Sequence, residues 1–107
     1  MLFRSLGLSE VTMPCAACFS RHKSAQCEIE DDVQKQAVEA VRVSTLIETI
    51  HAHAGVEGVT ERVARTLKGL RVACYYGCLL TRPPRVTGAE HPEDPRDMDE
   101  LLSALGV

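Results

Sequence analysis

The spacing of apolar residues predicts an α/β fold whose short strands lead to cysteines. A mixed run over 8–12 leads to Cys15, a minimal strand is predicted over 41–43, and a nearly all-apolar run over 70–76 leads to Cys78. The last run is typical of a central strand in a helix-covered parallel sheet. We therefore expect short parallel strands ending near Cys15 and Cys78, with helices packed against them and a right-handed crossover between them.

Helical spacing and turn residues predict the rest of the chain. The predicted helices cover 16–26, 28–40, a stretch from Thr45 that stops at Gly55, 56–67, and a last stretch that begins at the cap Asp94 with Pro95 in its first turn. Thr45 and Glu48 have the spacing of a capping box, which satisfies free backbone N–H groups at a helix start. Residues 82–92 are expected to form a loop because they contain three prolines and one glycine.

Composition narrows the class of protein. The chain has 107 residues, 45% of them apolar but only 4% aromatic, so residues 1–107 are expected to form one domain with a thin core. A net charge of −3 argues against partners bound through nucleic-acid phosphates or anionic membranes. The longest uncharged apolar stretch, Val72–Thr81, is too short for a membrane span, and Met1–Ser5 does not begin a signal peptide. We therefore expect a soluble, cytoplasmic protein.

Five cysteines carry most of the candidate chemistry. In a reducing compartment this odd number favours metal ligands, redox thiols or buried apolar residues over a disulfide framework. Cys15 and Cys18 form a C-x-x-C pair at a predicted strand-to-helix turn, where two thiolates can reach one metal or form a redox disulfide. Cys78 occupies a similar position after the second predicted strand, whereas Cys27 and Cys74 are interpreted as packing residues.

The histidines add one candidate ligand. His51 and His53 lie two positions apart on one predicted helix and point in different directions, so they are interpreted as surface residues. His22 lies near the C-x-x-C pair and is a candidate ligand or proton donor. Cys15, Cys18, Cys78 and His22 could together supply the four donors of a zinc site. A zinc-binding or thiol-redox module is therefore an alternative function.

Three segments of the sequence carry a family resemblance, namely Met13–Arg21, Val72–Pro84 and Pro92–Pro95. They resemble the cysteine-rich CCG-domain subunit of heterodisulfide reductase, and the resemblance extends over nearly the whole chain. That family carries two cysteine-rich modules, each with a lone Cys, an adjacent Cys-Cys-Gly and a C-x-x-C, and each set of cysteines holds a non-cubane iron–sulfur cluster. The resemblance implies that Cys15 and Cys18 are the closing C-x-x-C of the first module and that Cys78 opens the second. All three are then cluster ligands in the complete protein.

The resemblance also implies a function and partners. The clusters pass electrons to a disulfide substrate, in methanogens the mixed disulfide of coenzyme M and coenzyme B, and the partners are flavin-containing and ferredoxin-like subunits. No adjacent Cys-Cys occurs in this sequence, so it corresponds to the middle of the family pattern, as a cut piece or truncated reading frame would. We therefore expect the chain alone to bind no complete cluster and to be inactive. A third possibility is a metal-free assembly surface that pairs with another chain, as in a homo-oligomer.

Overall fold

The computed structural model describes residues 6–107, so the prediction made for Met1–Ser5 lies outside the described residues. The elements follow in the order β1 (Glu10–Met13), α1 (Ala16–Glu28), α2 (Asp32–Glu39), β2 (Arg42–Thr45), α3 (Leu46–His53), α4 (Gly55–Glu61), α5 (Cys78–Thr81), α6 (Pro84–Thr87) and α7 (Asp97–Ala104). None of these helices is long and apolar enough to cross a membrane.

The two strands form a parallel sheet, which confirms the predicted α/β class. Their register pairs Glu10 with Arg42 at one end and Met13 with Thr45 at the other. The connection between the strands contains α1 and α2. The crossover therefore joins β1 to β2 and does not lead to a strand that ends at Cys78.

The core lies where α1 covers this sheet. Phe19, in the middle of the first half of α1, has no exposed surface. The other buried apolar side chains of the described residues are Val38, Val41, Val43 and Leu101. Gln26 links α1 to the residues just before β2. Its side-chain N–H₂ group donates to the carbonyls of Val38 (3.3 Å) and Val41 (3.1 Å). The described core is thin, as the scarcity of aromatic residues predicts.

The start of α3 has the predicted capping box. The backbone N–H of Glu48 donates to Thr45 Oγ1 (3.2 Å), and the backbone N–H of Thr45 donates to Glu48 Oε2 (2.7 Å). The helix ends at His53, just before Gly55, as predicted. Because Thr45 is also the last residue of β2, the capping box makes the strand-to-helix turn rigid.

Two helix predictions were wrong in extent. The predicted helix over 28–40 begins only at Asp32, since Ile29 is extended and Asp31 caps α2 by accepting from the N–H of Gln34 (2.8 Å). The predicted helix over 56–67 ends at Glu61. Its last part cannot continue because the N–H of Leu67 donates to the carbonyl of Leu105 (2.9 Å), beyond α7, instead of to a carbonyl one turn earlier.

The predicted strand over 70–76 does not form. Residues 71–77 have neither strand nor helix assignment. Among the described residues, no backbone hydrogen bond involves residues 71–76. The run has the apolar composition of a central strand, but no strand within residues 6–107 pairs with it, and a strand is defined by that pairing.

Two predictions near the C-terminus also need correction. The predicted loop over 82–92 contains α6, because Pro84 occupies the first turn of a helix, where a missing N–H costs nothing. The last helix begins at Asp97, and Asp94 does not cap it. The Asp94 carboxylate instead accepts from the guanidinium of Arg96, at 2.6 and 3.0 Å.

Candidate functional site

The Cys15–Cys18 pair lies at the N-terminus of α1, directly after β1. Cys15 is the N-cap residue, with extended backbone angles, and its carbonyl accepts the first helical hydrogen bond from Phe19 (2.9 Å). Cys18 follows in the first turn, and both thiols are exposed. Residues three apart on a helix share a face, so the two sulfur atoms are presented together to the outside.

The surroundings of the pair shift the pKa values of the two thiols in opposite directions. The backbone N–H of Cys18, the Cys18 thiol and the backbone N–H of Ala17 lower the pKa of Cys15, although its sulfur makes no regular capping hydrogen bond. Hydrogen bonding to Cys15 and the charge of its thiolate raise the pKa of Cys18. The site therefore favours one thiolate, at Cys15, with a thiol beside it.

Buried neighbours hold this turn in place. Phe19 follows Cys18 directly and anchors the first turn of α1 in the core. On the other side of the pair, Met13 ends β1 in register with Thr45, and Pro14 alone separates it from Cys15. The sulfur atoms are thus exposed, while the backbone that carries them is fixed on both sides.

Cys78 lies on a different element. It is the first residue of α5, which packs against α1, and its side chain is exposed. Within residues 6–107, no group of three or more histidine, cysteine, aspartate or glutamate side chains is placed to hold a metal ion. The structure therefore does not bring Cys78 or His22 into one ligand group with Cys15 and Cys18.

The number of thiolates in the pair decides which metal ions or clusters this site can hold. Cys15 and Cys18 supply two thiolates, whereas tetrahedral zinc and the common iron–sulfur clusters take four protein donors. The pair therefore fits as part of a ligand set. The remaining ligands have to come from outside the pair.

The remaining cysteines lie apart from the pair. Cys27 is exposed in the last turn of α1, with its sulfur 3.9 Å from the carbonyl oxygen of Arg85. Cys74 is half-buried, and burial together with hydrogen bonding to Asp99 raises its pKa. The partial burial of Cys74 is compatible with a packing residue, whereas the exposure of Cys27 does not agree with that interpretation.

His51 and His53 contact different elements, as their two-residue spacing predicts. His51 Nε2 lies 2.8 Å from the carbonyl oxygen of Asp97, and His53 Nε2 lies 2.6 Å from Glu10 Oε2. The first contact fastens α3 to α7 and the second fastens α3 to β1. His22 is exposed on α1.

A polar contact that the sequence did not predict lies beside Cys74. The hydroxyl of Tyr76 donates to Asp99 Oδ2 (3.0 Å) and accepts from the backbone N–H of Met98 (2.8 Å). It holds the segment over 71–77 against the first turn of α7. No spacing in the sequence indicates this contact.

An open groove of about 640 Å³ lies at the end of β2. Its lining residues include Thr45, Tyr76, Thr87 and Met98, and none of the five cysteines. The groove is therefore separate from the Cys15–Cys18 pair.

Comparison with known proteins shows a partial similarity over about half of the chain. No family model and no solved structure matches the chain. Over 52 residues the chain is 35% identical to the 8-methylmenaquinol:fumarate reductase membrane anchor subunit of Wolinella succinogenes. The matched region is 49% of this chain and 18% of that subunit, so the chain spans less than a fifth of the length of this relative.

Proposed function

We propose that this chain is an electron-transfer module of the type found in the cysteine-rich CCG-domain subunit of heterodisulfide reductase, in which Cys15 and Cys18 ligate an iron–sulfur cluster. The observation that carries the proposal is the exposed thiol pair at the N-terminus of α1, with the pKa of Cys15 lowered. Cys78 belongs, in this proposal, to the ligand set of a second cluster. The other ligands come from residues outside the pair.

The chemistry of the pair suits a ligand role. Thiolates, not thiols, bind metals, so a lowered pKa reduces the cost of forming the ligand at neutral pH. The N–H groups of Ala17 and Cys18 that favour the Cys15 thiolate would also tune the potential of a bound cluster, because hydrogen bonds to sulfur do so. The cluster, when bound, supplies the one-electron chemistry.

The similarity to the Wolinella subunit is compatible with this role. Its name makes it the membrane anchor subunit of an 8-methylmenaquinol:fumarate reductase, so the shared 52 residues belong to a subunit of a reductase there. For this chain we propose a disulfide as the final acceptor, flavin-containing and ferredoxin-like subunits as partners, and a cytoplasmic location.

The ligand assignment is tested by reconstituting the chain without air with iron, sulfide and a small thiol that supplies the missing ligands. The wild-type chain is expected to retain iron and sulfide after desalting. Cys15→Ser and Cys18→Ser each remove one of the two protein ligands and should lower the bound iron several-fold. Cys27→Ser, an exposed cysteine of the same helix, is the matched control and should bind as the wild type does. Equal loss from Cys15→Ser and Cys27→Ser would refute the assignment.

A dithiol function is the second candidate, and the opposed pKa shifts of Cys15 and Cys18 favour it. The Cys15 thiolate would attack a substrate disulfide, forming a mixed disulfide and releasing one substrate thiolate. Cys18, losing its proton, would then attack the Cys15 sulfur of the mixed disulfide and release the second substrate thiolate. The pair ends as a disulfide, and its two electrons have reduced the substrate.

This second candidate needs no metal and has its own test. The metal-depleted Cys18→Ser chain, treated with oxidised glutathione, should accumulate a glutathione disulfide on Cys15. Peptide mass spectrometry identifies the modified cysteine. Modification spread evenly over Cys15, Cys27 and Cys78 would argue against a dithiol role.

A further inference from the structure

The groove at the end of β2 has a lining that several hydrogen bonds hold in place. Its volume of about 640 Å³ lies within the range of small-molecule sites, roughly 300–1,000 Å³. The Thr45–Glu48 capping box fixes one part of the lining. A second part is fixed by the hydroxyl of Thr87, which donates to the carbonyl of Thr81 (3.1 Å), and a third by the hydroxyl of Tyr76, which is bonded to α7. The groove is therefore a formed feature of the fold.

Thr81 supplies the groove with a hydroxyl that has no partner among the described residues. The residue lines the groove, and only 8% of its surface is exposed. Thr87 bonds to its backbone carbonyl, whereas its side-chain hydroxyl makes no hydrogen bond within residues 6–107 and is not sealed off from solvent. Because this hydroxyl has lost most of its access to water, a ligand that bonds to it in the groove stabilises it.

The charge of the groove indicates which kind of ligand it suits. Its arginine, Arg96, is already paired with Asp94. Four other carboxylates of the lining form no ion pair within residues 6–107, namely those of Glu48, Glu90, Asp97 and Glu100. The groove therefore carries an excess of negative charge, which a cationic ligand complements.

The arrangement of the acidic side chains suits a cation whose charge is spread out. Six histidine, aspartate or glutamate residues line the groove, yet in the described part of the chain no three such side chains are placed to hold one metal ion. A compact ion that takes several ligands at one point does not fit this arrangement. The lining also includes apolar side chains, among them Ile47, Leu80 and Met98. Several ammonium groups joined by methylene groups match both the separated carboxylates and the apolar surface.

We propose that the groove at the end of β2 binds a linear aliphatic polyamine. Its ammonium groups donate to the unpaired carboxylates and to the oxygen of the Thr81 hydroxyl, since an ammonium group has three donors and no acceptor. Its methylene groups contact the apolar part of the lining. None of the five cysteines lines the groove, so this binding is independent of the proposed cluster and of any dithiol chemistry.

The proposal is tested by isothermal titration calorimetry of the metal-free, reduced chain with spermidine, which should bind one equivalent. Thr81→Val keeps nearly the same shape but removes the hydroxyl, and the dissociation constant should rise about threefold to tenfold. The double variant Glu90→Gln/Glu100→Gln removes two unpaired carboxylates and should raise it at least about fivefold. Glu61→Gln, at an exposed carboxylate of α4 outside the groove, is the matched control and should bind as the wild type does. Circular dichroism checks that each variant is folded.

Two further measurements separate a site in the groove from general attraction of cations. Magnesium chloride, titrated at the same concentration of charge, should bind more weakly than spermidine. The backbone amide resonances that spermidine shifts should be those of the groove, such as Thr81, Gly88 and Met98. Magnesium that binds as tightly as spermidine, shifts spread over the whole surface, or a loss of affinity in Glu61→Gln equal to that in the double variant would overturn the proposal. Unchanged affinity in both Thr81→Val and the double variant would overturn it as well.

Discussion

The unit from β1 to α3 and the stretch over 62–77 are both rich in apolar residues, yet only the first is packed. Most of the buried apolar side chains of the described residues, Phe19, Val38, Val41 and Val43, belong to the β1–α3 unit. The stretch over 62–77 contains no buried residue, and Leu70 in it is 54% exposed. Apolar composition therefore does not decide burial. A segment is buried when the chain also supplies an element to cover it.

The cysteine pair belongs to the packed unit. A ligand or redox pair needs a fixed geometry, and Cys15 and Cys18 lie between a paired strand and a helix anchored by Phe19. The stretch over 62–77 differs, because its residues 71–76 make no backbone hydrogen bond to other described residues. Substitutions in the two regions should therefore differ in their effect on stability.

The largest effect is expected for Phe19→Ala. Removing a fully buried phenyl ring from a thin core should cost about 3–5 kcal/mol in the free energy of unfolding, measured by urea denaturation. Leu70→Ala, in the stretch over 62–77, should cost at most about 1 kcal/mol because more than half of that side chain is already exposed. Similar losses from the two substitutions would remove the distinction between the regions.

A smaller effect is expected at the capping box. Thr45→Ala removes the oxygen that accepts from the N–H of Glu48 and should lower the free energy of unfolding by about 1 kcal/mol. Thr45→Ser keeps an accepting hydroxyl and is the matched control. If serine destabilises as much as alanine does, the buried methyl group of Thr45, and not its cap, supports the turn.

The smallest effect concerns the contact that fastens α3 to β1. The hydrogen bond from His53, with the charges of His53 and Arg42 and a bond from Ser44, lowers the pKa of Glu10 below its usual value of 4.5. A carboxyl group with a lowered folded-state pKa stabilises the fold above its unfolded pKa, and this stability is lost as pH falls through the folded value. Stability should therefore decrease on acidification below about pH 4.5.

The control for this acid dependence is Glu10→Gln, which cannot titrate. Urea midpoints measured from pH 6 to pH 3 should fall less steeply for this variant than for the wild type. Identical slopes would show that other carboxyl groups cause the acid response and that the Glu10–His53 contact contributes nothing measurable.

Some elements fixed by neighbouring residues were predictable from the sequence, although the Asp31 cap that starts α2 was missed, and those fixed by distant contacts were not. The Thr45–Glu48 capping box spans three residues, so its pattern can be recognised in the chain itself. The end of the helix predicted over 56–67 depends on a bond from Leu67 to Leu105, which no local pattern contains. The strand predicted over 70–76 failed for the same reason, since strand formation depends on a partner that can lie far away in the sequence.

The candidate site was predictable in part. The C-x-x-C spacing, the preceding strand and the following helix identify Cys15 and Cys18 and their position at a helix start. The opposed pKa shifts of the two thiols depend on which N–H groups reach the Cys15 sulfur, and that requires the folded turn. The position of Cys78 on a helix of its own follows from the packing of α5 on α1.

The most direct test of the electron-transfer function is a reductive titration of the chain reconstituted without air with iron, sulfide and a small thiol, followed by visible absorption. We expect a broad visible band that bleaches on addition of dithionite, returns on reoxidation and is several-fold weaker in the Cys15→Ser variant. Without the small thiol the band should be weak, because the pair supplies only two ligands. A chain that stays colourless with the small thiol present, or a band that Cys15→Ser retains in full, would contradict the proposed function.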